Sequence, residues 1–229
     1  MRLKPEDHKR IHAAVEAAEA KTSGEIVCVL APKSSDYGEV PLAWATGAAL
    51  VAPAAAVLLG LRPPLPEALT GGWTAAHGGV GAALQGALVA YVVIQAALFV
   101  LVAFAASIPG VHRLLTPRAL KRYRVHRRAS QFFAAQGLHL TEHRTGVLIY
   151  ASAAEHLAVV IADEGVAAKV GPEAWTGVVQ ALIAGMKAGD PGAGFAGAIE
   201  RAGAILGQHC PRRPEDHNEL PDSVIELNG

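Results

Sequence analysis

The chain is poor in charged residues and in cysteine, and each shortage excludes a class of protein. Only 17% of its 229 residues are charged, whereas soluble domains carry about 25%, so the composition argues against a wholly soluble protein. Two cysteines are too few for a disulfide scaffold. An apolar content of 52% excludes an intrinsically disordered chain.

Motifs that mark common enzyme classes are also missing. The sequence has no Gly-x-x-x-x-Gly-Lys-[Ser/Thr] loop, no Gly-x-Gly-x-x-Gly after a strand and no Gly-x-Ser-x-Gly elbow. His8/His12 and His139/His143 have i,i+4 spacing, but neither pair forms a His-Glu-x-x-His motif or has an evident third ligand. We therefore expect these histidines to lie on helices and loops without a metal.

Two long uncharged runs are the strongest positive feature. Residues 41–61 and 87–108 each have about the 20 residues that a helix needs to cross a hydrocarbon core of roughly 30 Å. A buried pair of core helices in a soluble protein is the alternative interpretation. Residues 62–86 between them are rich in proline and glycine and read as an extracytoplasmic loop. The pattern predicts a hairpin of two transmembrane helices.

A basic block follows the second run and predicts the topology. Residues 112–128 contain seven basic and no acidic side chains: Arg113, Arg118, Lys121, Arg122, Arg124, Arg127 and Arg128. Since cytoplasmic flanks carry excess Lys and Arg, we expect a multi-pass protein of the inner or plasma membrane with both termini cytoplasmic. Nucleic acid is one possible partner, but the position beside a span favours anionic lipid headgroups instead. We therefore expect these seven residues to form a lipid-facing basic helix.

The remaining segments predict one α/β domain that the membrane hairpin interrupts. Residues 1–40 are too short to fold alone, so we expect them to pack with residues 112–209, while 210–229 form a C-terminal tail. Apolar periodicity and Gly/Pro boundaries predict helices in 5–20, 117–136, 172–187 and 195–209, and strands in 25–30, 146–151 and 157–162. The predicted fold class is an α/β (α+β) sandwich around a small sheet.

Three motifs in this order resemble the TPM domain family. They are Lys21-Thr22-Ser23-Gly24-Glu25-Ile26-Val27, Arg144-Thr145-Gly146-Val147-Leu148-Ile149 and Val160-Ile161-Ala162-Asp163-Glu164-Gly165. The family includes thylakoid-lumen and photosystem-repair proteins and many bacterial membrane proteins. The resemblance implies a small β-sheet with helices packed on it. It also implies two properties that are found in some members: acid phosphatase activity, and the binding of calcium or a similar divalent cation.

Two pairs of residues are candidates for a site. Asp163 and Glu164 at a strand end offer carboxylate oxygens for Ca²⁺ or Mg²⁺, with Glu25, Asp36 and Glu142 as possible further ligands. The alternative is a polar turn that faces solvent. Arg144 and Thr145 offer donors for an anion such as phosphate, or they anchor their loop against Glu142 or Asp163.

The functional hypothesis is an integral membrane protein whose cytoplasmic domain acts as a binding or assembly module, with a protein partner in the membrane. Two spans, the basic flank and the missing catalytic motifs favour it. The alternative is a divalent-cation-dependent enzyme resembling an acid phosphatase.

Overall fold

The computed structural model describes residues 2–60, 80–141, 143–213, 215 and 223–227, and for residues 80–86 it describes the backbone alone. The chain divides into two units. We call residues Tyr37–Pro117 the helical unit, and Met1–Asp36 together with Arg118–Gly229 the α/β unit. The α/β unit is therefore built from two separate stretches of the chain.

The described residues form eight α-helices and four strands, with two short 3₁₀ turns at Leu138–Leu140 and Pro172–Trp175. In chain order they are α1 (Pro5–Glu19), β1 (Glu25–Ala31), α2 (Glu39–Leu58), α3 (Val80–Ser107), α4 (Pro109–Leu115), α5 (Arg118–Ala135), β2 (Gly146–Ser152), β3 (Leu157–Ala162), α6 (Glu164–Ala167), α7 (Thr176–Ala188), α8 (Pro191–His209) and β4 (Ile225–Glu226).

The strands form one mixed sheet in the order β3-β2-β1-β4. β1 runs parallel to β2 with Glu25 opposite Gly146, and β2 runs antiparallel to β3 with Val147 opposite Ala162. The predicted β2–β3 hairpin is thus confirmed, as is the mixed α/β class. β4 pairs in parallel with β1 through two residues, and no sequence pattern predicts this strand.

Helices cover both faces of the sheet. On one face, Ile26, Cys28 and Ile149 join a core with apolar side chains of α1, α7 and α8. On the other, Val29 and Tyr150 pack with side chains of α5. Every residue of β1 and β2 is buried, which explains why both strands are nearly continuous apolar runs.

Helix α8 begins at Pro191, so the predicted start at Phe195 is wrong by one helical turn. Asp190 caps the helix, because its Oδ1 accepts a hydrogen bond from the Ala193 amide at 2.8 Å. Proline occupies the first turn, where its missing N–H costs nothing. These two start signals stand in the sequence, before the apolar periodicity becomes clear.

The basic block does not form one helix, which corrects the prediction of a single lipid-facing basic helix. Thr116 has an extended backbone between α4 and α5, because the residue before a proline is driven away from helical geometry. Arg113 consequently lies on α4 in the helical unit. The six other basic residues of the block lie on α5 in the α/β unit.

The helical unit contains two helices that are long and apolar enough to span a membrane, judged by length and composition. α2 has 20 residues and α3 has 28, and the two helices contact each other. The predicted loop 62–86 is shorter than expected, since residues 80–86 are already helical. Residues 61–79, which contain the rest of that loop, lie outside the described residues.

Candidate functional site

The sheet brings most of the predicted site residues to one end. The amino ends of β1 and β2 lie side by side, because these strands are parallel and in register. β3 runs the opposite way, so its carboxyl end arrives at the same place, where the Asp163 amide donates to the Gly146 carbonyl at 2.9 Å. Arg144, Thr145 and Asp163 therefore share this end of the sheet.

Asp163 is a buried helix cap. Its residue is 7% exposed, and its Oδ1 accepts a hydrogen bond from the Glu164 amide at 2.8 Å, at the start of α6. Its second oxygen, Oδ2, is buried and has no hydrogen-bond partner among the described residues. Oδ1 thus has a structural role, and Oδ2 is available to accept a hydrogen bond or to bind a cation.

Glu164 forms an ion pair with Arg144. Both side chains of the pair are mostly exposed, at 79% and 58%. Arg144 has a positive φ of 51°, and its carbonyl accepts a hydrogen bond from the Gly165 amide at 3.0 Å. A Cβ at Gly165 would lie 2.5–2.6 Å from the carbonyl oxygens of His143 and Arg144, so this close turn requires glycine.

Thr145 forms hydrogen bonds to the loop before β1 and to the loop before β2. Its hydroxyl donates to the Ser23 carbonyl at 2.7 Å, and its amide donates to the Thr141 hydroxyl at 3.1 Å. The side chain is buried. Arg144 and Thr145 thus both have protein partners, as the loop-anchoring alternative expects, although the anchoring carboxylate of Arg144 belongs to Glu164 rather than to Asp163.

The further cation ligands considered from the sequence do not form a metal site with Asp163 among the described residues. Glu25 is buried at the start of β1, at the same end of the sheet as Asp163 but two strands away from β3. Asp36 forms an ion pair with Lys33 beyond the other end of β1. The hydrogen bond that Lys33 donates in this pair holds the pKa of Asp36 below the ordinary 3.8. Glu142 lies outside the described residues. The described part of the chain contains no group of three or more His, Cys, Asp or Glu side chains placed to hold a metal.

Among the described residues, this end of the sheet does not assemble the six to eight oxygen ligands that Ca²⁺ takes. The two adjacent carboxylates have different partners, since Asp163 accepts a hydrogen bond from the Glu164 amide and Glu164 pairs with Arg144.

A second polar cluster, which no sequence pattern predicts, lies at the carboxyl ends of β1 and β2. The Ser34 hydroxyl donates to Ser152 Oγ at 2.9 Å and lies 3.2 Å from the Tyr150 hydroxyl. Ser152 in turn donates to the Glu155 carboxylate. Glu155 also accepts from the Ser34 amide at 3.1 and 3.3 Å, so the chain of hydroxyl groups ends on a carboxylate.

Burial raises the pKa of Tyr150 above its ordinary 10.0, while the Ser34 hydrogen bond and the charge of Arg128 act in the opposite direction. Ser34 and Glu155 are 121 residues apart, and no local sequence signal connects them. The hydrogen bonds of this cluster connect the loop after β1 to the turn between β2 and β3.

Helix α5 carries exposed basic residues around much of its circumference. Arg118, Arg122, Arg127 and Arg128 are exposed, and in the described part of the chain none of these four has a carboxylate within ion-pair distance. Lys121 and Arg124 are partly buried and have contacts within the protein. Four guanidinium groups are thus available for an external anion.

Comparisons with known proteins support the fold and nothing more specific. No protein-family model matches the chain, and no curated protein was found to match it. The structure is similar to the NMR structure of the BA42 protein from the psychrophilic bacterium Bizionia argentinensis, with a TM-score of 0.56 and 19% identity. The match covers 99% of this chain and 97% of that chain. At this identity the likeness shows a shared mixed α/β fold.

Proposed function

We propose that the chain is an integral membrane protein whose helical unit inserts as a two-helix hairpin and whose α/β unit is a cytoplasmic binding or assembly module. One observation carries the proposal. Among the described residues, all but two of the exposed large apolar side chains belong to the helical unit, the exceptions being Tyr123 and Leu140. Water does not favour such a surface, whereas a bilayer does.

The alternative of buried core helices fits this surface poorly. The span Ala87–Ser107 contains no charged residue, and only 6% of its most apolar 18-residue stretch is buried. Phe104 is 75% exposed and Val100 is 65% exposed. A core helix would bury such side chains, because each contributes about 1.5–3 kcal/mol when removed from water. Lipid is the medium in which an uncharged, exposed helix is stable.

Small residues in α2 support an inserted pair of helices. Ala45, Ala49 and Pro53 are buried at a spacing of four residues, while Leu50 and Val57 remain exposed. Small residues at this spacing let helix backbones approach closely in a membrane, where lipid tails compete for apolar surfaces.

The exposed arginines of α5 support the topology. Each Lys or Arg near an anionic surface contributes about 1 kcal/mol, and four guanidinium groups of α5 have no carboxylate partner among the described residues. We infer that anionic headgroups are their partners and that both chain termini are cytoplasmic. Membership of the TPM family, with a protein partner in the membrane, is part of the same proposal.

Membrane extraction tests the proposal. We expect the full chain to stay in the membrane pellet at alkaline pH and to require detergent for solubility. Val100→Asp should lower the inserted fraction, because a carboxylate at a helix centre costs about 2.5–3.5 kcal/mol, while the matched variant Val100→Leu should insert normally. Release of the unmodified chain at alkaline pH without detergent would contradict the proposal.

A cation-dependent acid phosphatase-like activity is the second candidate, and the unpartnered Oδ2 of Asp163 is the observation that favours it. Calorimetric titration of the detergent-purified chain with Ca²⁺ tests it, with Mg²⁺ in a parallel run. Binding heat that disappears in Asp163→Asn and persists in Glu164→Gln would support a cation site. Absence of heat in the unmodified chain would remove this candidate.

A further inference from the structure

The outer edge of β1 is a partly used strand edge. Its inner edge pairs with β2 along all seven residues, whereas its outer edge pairs with β4 at Val29 and Leu30. One of the remaining outer donors, the Ile26 amide, is satisfied by a side chain, Glu19 Oε1, at 2.8 Å. An edge of this kind can accept an added extended segment through main-chain hydrogen bonds.

The chain's own C-terminal segment, residues 223–227, occupies this edge. The Leu227 amide donates to the Leu30 carbonyl at 3.0 Å. Val224 is buried in the core that contains α1 and α8, while Ile225 and Leu227 pack against the core on the opposite face of the sheet. Successive side chains thus enter alternate faces, as in any added strand.

A carboxylate has a defined place between these apolar contacts. Glu226 Oε1 lies 2.8 Å from His8 Nε2, and Glu226 Oε2 accepts a hydrogen bond from the Leu3 amide at 3.4 Å. Beside it, a groove of about 380 Å³ continues along α1, lined by His8, Lys9, His12, Ala13, Glu16, Ser223 and Val224. The segment that occupies the edge therefore has the pattern apolar, apolar, acidic, apolar, and each of its side chains has a defined contact.

The hold on this segment is modest. The strand has two residues, and each main-chain hydrogen bond contributes little net stability in water. Ile225, Glu226 and Leu227 each stay partly exposed. The seven-residue β1–β2 pairing and most residues of both cores do not involve residues 224–227. An incoming segment with the same pattern could therefore replace β4 while these contacts persist.

We propose that the outer edge of β1 is a strand-addition site for an extended, acidic segment of a partner protein, and that residues 224–227 (Val-Ile-Glu-Leu) occupy it until the partner displaces them. The incoming segment runs parallel to β1, with its acidic residue at the position of Glu226. This inference rests on the proposed role as a binding module and names the class of partner.

Peptide binding to the detergent-purified full chain tests the site. A protease site is introduced between residues 214 and 222, and the nicked protein is incubated with excess fluorescent peptide of residues 222–229. We expect the peptide to exchange into the nicked protein and to bind the uncut chain far more weakly, because an attached tail competes at about millimolar effective concentration. The peptide with Glu226→Ala should bind about tenfold more weakly, since hydrogen bonds to charged groups contribute about 1.5–3 kcal/mol.

A point variant gives a second measurement without a nick. In the uncut chain, Glu226→Ala loosens the tail and should raise its affinity for the unmodified peptide, while the matched tail variant Glu215→Ala should not. Absence of peptide exchange in the folded, nicked protein would overturn the proposal, as would equal binding of the Glu226→Ala peptide. Dimers formed by exchanged tails would also overturn it, because the occupant would be a second copy. The assay does not depend on membrane insertion, so its failure is distinct from failure of the hairpin.

Discussion

The two units of this protein treat apolar side chains in opposite ways. In the α/β unit, large apolar residues such as Tyr150, Phe195 and Ile149 are completely buried. In the helical unit, Leu58 is 87% exposed and Phe104 is 75% exposed. The contrast teaches that the high apolar content of the chain has two causes: one unit builds a core, and the other presents an apolar surface to its surroundings.

The largest contrast is expected from truncating one phenylalanine in each unit. Phe195→Ala empties a fully buried site in α8 and should lower the free energy of unfolding by about 3–5 kcal/mol. Phe104→Ala in α3 removes an exposed ring and should leave the unfolding of the α/β unit unchanged. Chemical denaturation in detergent, followed by circular dichroism, measures both variants. Equal losses would remove the distinction between the units.

Replacing two glycines of α8 should change the free energy of unfolding by smaller amounts, and in opposite directions. A Cβ at Gly203 would lie 2.6 Å from Ala18 Cβ, where α8 packs on α1, so Gly203→Ala should destabilise by about 1–3 kcal/mol. The nearest neighbour of a Cβ at Gly197 is 3.9 Å away. Gly197→Ala should therefore stabilise the helix by about 0.5–1 kcal/mol. Thermal unfolding of the two variants compares them, and a stabilising Gly203→Ala would contradict the close packing.

A buried tyrosine makes the α/β unit sensitive to alkaline pH. Because burial raises the folded-state pKa of Tyr150 above 10.0, its contribution to stability is fully present below pH 10.0 and is lost as pH rises through the folded-state pKa. Tyr150→Phe should reduce the slope of unfolding free energy against pH in this alkaline range. The matched variant Tyr123→Phe changes a ring that is 61% exposed and should keep the slope of the unmodified chain. An unchanged slope in Tyr150→Phe would contradict the assignment.

The smallest effects are expected at the exposed pair beside Asp163. Arg144→Ala removes an ion pair with Glu164 in which both side chains are mostly exposed, so the unfolding free energy should change by less than about 1 kcal/mol. Asp163→Ala removes the cap of α6 and should cost about 1 kcal/mol. Denaturation at low and high salt separates the two, since the ion pair alone is screened. A larger loss in Arg144→Ala would mean that this loop has a role beyond anchoring.

The central elements of the fold were predictable because their signals are local. β1, β2 and β3 are apolar runs between glycine, proline and polar residues, and the observed bounds differ from the predicted ones by at most one residue. β4 was missed because its two residues become a strand only by pairing with Val29 and Leu30, almost two hundred positions earlier. Sequence periodicity contains no information about such a pairing.

The site was predictable in part for the same reason. The β2–β3 hairpin places Asp163 beside Gly146, so the meeting of Asp163 with Arg144 and Thr145 follows from a short-range pattern. The partners of the Asp163 and Glu164 carboxylates could not be predicted from that pattern. The hydrogen bond from the Glu164 amide to Asp163 and the ion pair of Glu164 with Arg144 depend on side-chain geometry. The cluster of Ser34 and Glu155 needed the β1–β2 register, which joins segments on either side of the helical unit.

Cysteine labelling tests the central claim, that the helical unit lies in lipid while the α/β unit lies in cytoplasmic water. Cys28 and Cys210 are replaced, and single cysteines are placed at Val100 in α3, Glu173 in the α/β unit and Thr70 in the predicted outer loop. A membrane-impermeant maleimide is added to spheroplasts before and after permeabilisation. The account predicts that Thr70→Cys reacts at once, that Glu173→Cys reacts after permeabilisation, and that Val100→Cys reacts only in denaturing detergent. Reaction of Val100→Cys in the native membrane as fast as Glu173→Cys would contradict it.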